Sequence, residues 1–150
     1  MNLFFLFLSC IYVAVIFLMA DSSVVSTIST FNLYSLLHIP LYGVLTVLLV
    51  LSIIPVQLFH FRGLNPGHPA GDRDNRIQAN DLRRISLEGR FVMAGLIGLV
   101  IALADEVHQY SIPARDGSFY DVLLDLAGIA LALLVMRKWL KWSEARSGSG

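Results

Sequence analysis

The sequence predicts an all-α membrane protein, a polytopic bundle of four transmembrane helices. Of its 150 residues, 56% are hydrophobic and only 15% are charged, whereas soluble domains are about a quarter charged. The mean hydropathy is +0.69. The charges are also segregated, since Asp21 is the only Asp, Glu, Lys or Arg among residues 1–61. A soluble chain of this size has too little interior to bury so much apolar surface.

The charge balance and the motif content exclude several function classes. The eleven basic and eleven acidic residues give a net charge of zero. The protein therefore has no overall positive potential that would attract nucleic acid. The single cysteine, Cys10, excludes an internal disulfide framework and a cysteine-based zinc site. The sequence contains no P-loop, nucleophile elbow or H-E-x-x-H motif. We therefore expect no cofactor, and no standard catalytic motif supports an enzymatic function.

Four apolar stretches of near-spanning length predict the helices. They cover about 3–20, 33–58, 91–110 and 119–139, each close to the ~20 residues that a spanning helix needs. The first stretch could instead be a cleaved signal peptide. Its amino end has no Lys or Arg, and the residues up to Ala20 form a poor cleavage site, so a retained helix is favoured.

Basic residues predict the orientation of the bundle. Six lie in a long loop at 59–90 and four in the tail after Val135, whereas the two short connections contain only Arg115. The positive-inside rule therefore places the long loop and both termini in the cytoplasm. Within the loop, Asp81 is a candidate cap for a short interfacial helix over 82–90. Residues 1–142 form a single domain, and 143–150 are expected to be a flexible tail.

Polar residues at membrane depth mark a candidate site. A charged group at the centre of a spanning helix costs at least ~2.5–3.5 kcal/mol, so it needs a partner or a water-filled cavity. The third helix ends in Asp-Glu-Val-His-Gln at 105–109, the fourth contains Asp121 and Asp125, and the second contains His38 near Pro40. The predicted orientation places all of them toward the outer side of the membrane.

Helical spacing predicts which polar residues meet. Two stripes are expected to face the interior: Ala94, Gly98, Ala102, Asp105 and Gln109 on the third helix, and Asp121, Asp125, Gly128 and Ala132 on the fourth. Small residues allow helices to approach closely in lipid. Asp105 and Asp125 should then lie near one seam, with Arg115 or His38 as a counter-charge. The alternative is a polar network that binds no ligand, in which these side chains only satisfy one another and hold the third and fourth helices together.

A metal site is not expected from the spacing. Asp105 and His108 are one helical turn apart, as metal ligands often are, but Glu106 should point in another direction.

Three segments resemble the VanZ-like family. Residues 105–109 read D-E-V-H-Q, 112–118 read I-P-A-R-D-G-S, and 121–128 read D-V-L-L-D-L-A-G. The family pattern is D-E-x-H-Q, then P-x-R-x-G-S, then D-V-x-x-[ND]-x-x-G. His38 with Tyr42 and Gly43 is similar to the family's earlier histidine helix. The resemblance spans about 34–134 and implies a VanZ-like domain in the bacterial inner (plasma) membrane, associated with low-level teicoplanin resistance.

Three functions are then open. The first is an envelope protein that binds a lipid-linked or lipidated ligand, with Arg115 holding a phosphate or carboxylate. The second is a membrane enzyme with His38 or His108 as general base and Asp105 or Glu106 orienting it. The third is an accessory subunit that docks on a membrane-protein partner through small-residue helix faces. The candidate ligand-binding residues are His38, Tyr42, Asp105, Glu106, His108, Gln109, Arg115, Ser118, Asp121 and Asp125.

Overall fold

The computed structural model describes residues 1–20, 35–54, 73–112 and 118–147. These residues form α1 (Leu3–Ala20), a 3₁₀ turn (Ser35–Leu37), α2 (His38–Ile53), α3 (Arg73–Tyr110) and α4 (Phe119–Ser147). No strand occurs in these four segments, so the all-α class is confirmed.

Four helices are long and apolar enough to cross a membrane. The spans are Leu3–Ala20, Ser35–Ile53, Ser86–Tyr110 and Phe119–Ser143, and only 17–39% of each is buried inside the chain. The remaining surface carries large apolar side chains such as Phe7, Val100 and Leu134. Apolar exposure on this scale is typical of helices that are surrounded by lipid. The fold therefore fits a multi-pass membrane protein.

The third helix is longer than predicted. It begins at Arg73 rather than at 91, so residues 73–90 are not loop, and Asp81 lies inside the helix instead of capping a short one. This segment has no proline and many good helix formers. Extending an existing helix also avoids the cost of a new nucleus. The rest of the predicted loop, 59–72, lies outside the described residues.

The other helix ends also have local causes. α2 ends at Ile53, and Ile54 is extended with φ −88° and ψ 116°, because the residue before a proline, here Pro55, disfavours the α conformation. α4 continues to Ser147 rather than 139, so most of the expected flexible tail is helical. The Arg146 guanidinium lies 4.2 Å from the ring centre of Trp142, one turn earlier, which supports this extension. Residues 148–150 lie outside the description.

Helices that follow one another in the chain pack antiparallel, whereas α2 and α4 run in the same direction, with their amino ends together. α2 contacts all three other helices. At one end of the bundle, the Asn2 backbone N–H donates to the Ser52 carbonyl at 2.8 Å, and Arg90 donates to the Ile53 carbonyl at 3.1 Å. Arg137 pairs with Glu88 at 3.4 Å at the same end. The core between the helices contains Tyr42, Leu45, Leu49, Val50, Phe91, Ala94, Ala102, Ile129 and Met136.

One glycine sets the closest approach of two helices. A Cβ atom at Gly128 of α4 would overlap the carbonyl oxygen of Ile39 in α2 and lie 3.0 Å from its carbonyl carbon. Only glycine therefore permits this crossing. Because His38 precedes Ile39 and Asp125 lies three residues before Gly128, the crossing brings these two polar side chains together.

Candidate functional site

The two predicted stripes face the interior of the bundle. On α3, Ala94 and Ala102 are fully buried, and Asp105 is 2% exposed. On α4, Asp125 is fully buried and Asp121 is partly buried. The remaining members, Gly98, Gln109, Gly128 and Ala132, are buried within the chain as well.

His38 and Asp125 form a buried pair between α2 and α4. The His38 Nδ1 atom lies 2.9 Å from Asp125 Oδ1, and His38 is only 5% exposed. The imidazole stacks on the parallel ring of Tyr42, with 6.4 Å between ring centres. Pro40 lies in the first turn of α2, where a missing N–H is well tolerated. His38 is therefore the counter-group of Asp125, one of the two alternatives that the sequence left open.

Asp105 is held by two neutral donors. Its Oδ2 accepts hydrogen bonds from the Tyr42 hydroxyl at 3.3 Å and from Gln109 Nε2 at 2.9 Å. Its Oδ1 is buried and has no hydrogen-bond partner. One oxygen is thus fixed in place and the other remains an open acceptor.

Glu106 points into the bundle, contrary to the prediction from spacing. It is 8% exposed, and its Oε2 accepts a hydrogen bond from the Ser118 backbone N–H at 2.8 Å. The reason is that α3 packs against both α2 and α4. Successive residues of α3, about 100° apart, can therefore both be buried, with Asp105 toward Tyr42 and Glu106 toward the start of α4. Ser118 also caps α4, because its hydroxyl accepts from the Tyr120 N–H at 3.2 Å.

We call His38, Tyr42, Asp105, Glu106, Gln109, Asp121 and Asp125 the polar cluster. Four of its carboxylate oxygens are buried without a hydrogen-bond partner: Asp105 Oδ1, Glu106 Oε1, Asp121 Oδ1 and Asp125 Oδ2. Such atoms in apolar surroundings cost free energy unless a proton, a cation or a ligand satisfies them. One ligand atom from each of His38, Glu106 and Asp125 lies within 4.8 Å of the other two.

Two pockets adjoin the polar cluster. A cavity of about 80 Å³ has polar walls from His38, Asp105 and Gln109. Its apolar walls come from Ile16, Met19, Ala20, Leu37 and Leu41. A more open pocket of about 240 Å³ lies between α3 and α4 and includes Glu106 and Ser118. Five of the ten predicted site residues thus line one or the other of these two pockets.

Three of the predicted residues, Ser118, His108 and Arg115, are not among the seven of the polar cluster. Ser118 adjoins it, because its backbone N–H donates to Glu106 Oε2. The His108 ring packs against Phe17 of α1 at 5.4 Å between ring centres, away from the His38–Asp125 pair. Arg115 lies outside the described residues. The contribution of α1 to the first pocket, through Ile16 and Met19, was not predicted. α1 is apolar all round, so no residue in it stands out in the sequence.

Comparisons with known proteins supply no relative. No family model, no curated protein and no solved structure matches the chain.

Proposed function

We propose that the chain is a VanZ-like protein of the bacterial inner membrane, which binds a lipid-linked or lipidated ligand at an outward-facing pocket. Its role would be low-level resistance to lipoglycopeptides such as teicoplanin. The observation that carries the proposal is the cavity of about 80 Å³ lined by His38, Asp105 and Gln109, together with the Asp105 Oδ1 atom that is buried without a hydrogen-bond partner. The motif resemblance at 105–128 and the asymmetry of basic residues support the family and the orientation.

The walls of this cavity suit an amphipathic ligand. α1 and α2 contribute apolar side chains such as Met19 and Leu41, whereas Asp105 and Gln109 contribute polar atoms. A volume of about 80 Å³ corresponds to two or three waters, so it would admit one functional group of a ligand and leave the rest outside.

The charge of the cavity favours a particular functional group. An open carboxylate oxygen of Asp105 selects a hydrogen-bond donor, such as a sugar hydroxyl or an ammonium group. In this proposal Arg115, on the connection between α3 and α4, holds a phosphate or carboxylate of the same ligand.

Drug susceptibility tests the binding proposal. Expression of the chain in a sensitive bacterium should raise the minimal inhibitory concentration of teicoplanin, and Asp105→Asn should abolish the rise, because it removes the charged acceptor. Glu88→Gln at the opposite end of the bundle is the matched control and should retain the rise. Equal resistance in Asp105→Asn and Glu88→Gln strains, at equal protein levels, would overturn the proposal.

A second candidate function is a membrane enzyme acting on a lipid-linked substrate. The observation that favours it is the His38–Asp125 pair at 2.9 Å, because a carboxylate that orients a histidine is the arrangement of a general base. The orienting partner is then Asp125, not Asp105 or Glu106.

Turnover separates the two functions. Purified protein in detergent is incubated with radiolabelled lipid-linked precursors. Conversion that is lost in His38→Ala and Asp125→Asn would establish the enzyme and refute a purely binding role. No conversion by any form, together with teicoplanin binding by the unsubstituted protein, would refute the enzyme.

A further inference from the structure

We propose that His38, Glu106 and Asp125 form a binding site for a divalent metal ion, and that Zn²⁺ is the best match. The three residues come from α2, α3 and α4, and one ligand atom of each lies within 4.8 Å of the others. Their exposed fractions are 5%, 8% and 0%. The group therefore lies inside the bundle, unlike an acidic patch on a protein surface.

The donor set suits a first-row transition metal. It comprises one imidazole nitrogen and two carboxylates, which are ordinary ligands of Zn²⁺ and Mn²⁺. Among divalent ions, affinity for a site of this kind is generally higher for Zn²⁺ than for Mn²⁺. Three protein ligands leave at least one coordination position for water or another small ligand.

Each carboxylate has one oxygen fixed and one oxygen open. Glu106 Oε2 accepts from the Ser118 N–H, whereas Oε1 has no partner. Asp125 Oδ1 pairs with His38, whereas Oδ2 has no partner. Hydrogen bonds that orient a ligand while leaving a donor atom available are what a preorganised metal site requires. These unpartnered, buried oxygens point to a ligand independently of the acidic composition.

The spacing of the donor atoms fits one ion after a side-chain movement of about 1 Å. Adjacent ligands at bonds of about 2.1 Å lie about 3.0–3.4 Å apart, and His38 Nδ1 and Asp125 Oδ1 are separated by 2.9 Å. The ion would replace this hydrogen bond with release of its proton, and it would lie off the line between the two atoms, where the unpartnered Asp125 Oδ2 is also available as a ligand atom. In the tetrahedral geometry of zinc every pair of ligand atoms lies about 3.4 Å apart, so a closure of at most about 1.4 Å from the 4.8 Å limit completes the set.

The charge balance at this end of the bundle also favours a bound cation. Asp105, Glu106, Asp121 and Asp125 place four carboxyl groups at one end of the bundle, where their described side-chain partners are His38 and the neutral donors Tyr42 and Gln109. A divalent cation offsets part of this negative charge where water cannot. The inference does not depend on the proposed lipid ligand, because the ion alone is the readout.

The test uses the full chain purified in detergent and stripped of metal with a chelator. Titration calorimetry with zinc chloride should show one saturable site per chain. His38→Gln and Glu106→Gln should each weaken the affinity at least about 10-fold, since even the loss of groups that only orient metal ligands costs 10–100-fold. The matched controls are His108→Gln, which alters the histidine against α1, and Glu88→Gln, at the other end of α3. Both should retain the affinity of the unsubstituted protein.

X-ray absorption at the zinc edge tests the site even if a variant fails to fold. The unsubstituted protein should show only nitrogen and oxygen ligands at about 2.0–2.2 Å, with the outer-shell scattering of one imidazole. Three results would each overturn the proposal: no saturable zinc binding, a sulfur ligand at about 2.3 Å from Cys10, or equal weakening in the His38→Gln and His108→Gln variants.

Discussion

At the scale of single residues, His38 is the group around which the polar cluster is arranged. It pairs with Asp125 and stacks on Tyr42, which in turn donates to Asp105. The helical stripes predicted that Asp105 and Asp125 face the interior, because the 100° period decides the face of each residue. They could not predict the pairing, because the pairing depends on the depth at which α2 crosses α4.

Tyr42→Phe should cost little stability. The hydroxyl bond to Asp105 is long, at 3.3 Å, and Gln109 continues to satisfy the same oxygen. Polar contacts between membrane helices average about 0.6 kcal/mol, so we expect a loss near that value in denaturant unfolding from detergent. Tyr110→Phe, at a side chain that is 79% exposed, is the control and should cost nothing. A loss above about 2 kcal/mol in the free energy of unfolding of Tyr42→Phe would contradict this prediction. It would mean that the hydroxyl contributes strongly to holding α2 and α3 together.

At the scale of elements, apolar length and turn residues predicted four helices, and the ends of those helices were the least predictable feature. The start of α3 at Arg73 was missed because a charged segment reads as loop in a hydropathy pattern. A helix that is already nucleated continues through such residues at little cost. At 38 residues it is roughly 57 Å long, well beyond the ~30 Å hydrocarbon core. The burial of Glu106 was missed for a related reason, since a helix with two packed neighbours has two interior faces.

Gly128→Ala should destabilise the bundle strongly. The new Cβ would meet backbone atoms of Ile39, which cannot rotate away as a side chain would. Overpacking of a well-packed core typically costs about 1–3 kcal/mol, and we expect the upper end of that range. Gly89→Ala is the matched control, because a Cβ there meets nothing within 4 Å. It should be neutral or stabilising by up to about 1 kcal/mol, since alanine is the better helix former. Equal thermal unfolding of the two variants in detergent would contradict the close α2–α4 crossing.

At the scale of the whole molecule, the two ends of the bundle differ in chemistry. The polar cluster occupies one end, and the other has basic groups such as Arg90 and Arg137 near Asn2. Composition predicted the membrane setting, and in the described helices at most 39% of the apolar window of each candidate span is buried inside the chain. Which end faces outward follows from the asymmetry of basic residues alone, and it remains a proposal.

Cysteine labelling tests that orientation. The labelling uses a Cys10→Ser background. If both termini are cytoplasmic, the end with the polar cluster faces outward, so Ser111→Cys at that end should react with a membrane-impermeant maleimide in intact cells. Ala145→Cys, near the end of α4, should react only after the membrane is permeabilised. Both positions are exposed on the protein surface. The reverse pattern would place the polar cluster on the cytoplasmic side.

The central claim is that the polar cluster binds a ligand and does not serve only to hold the helices together. The free energy of unfolding of the Asp105→Asn variant tests this claim most directly. Asparagine retains the acceptor for Tyr42 and Gln109 and removes the open, buried carboxylate oxygen. Binding sites commonly sacrifice stability for function. A binding site therefore predicts a free energy of unfolding that is unchanged or higher by up to about 1 kcal/mol, since an unpaired amide is less costly to bury than an unpaired charge. A loss above about 1.7 kcal/mol would contradict the claim and show that the cluster serves to hold the helices together. That value is the largest measured for polar contacts between helices of one membrane protein.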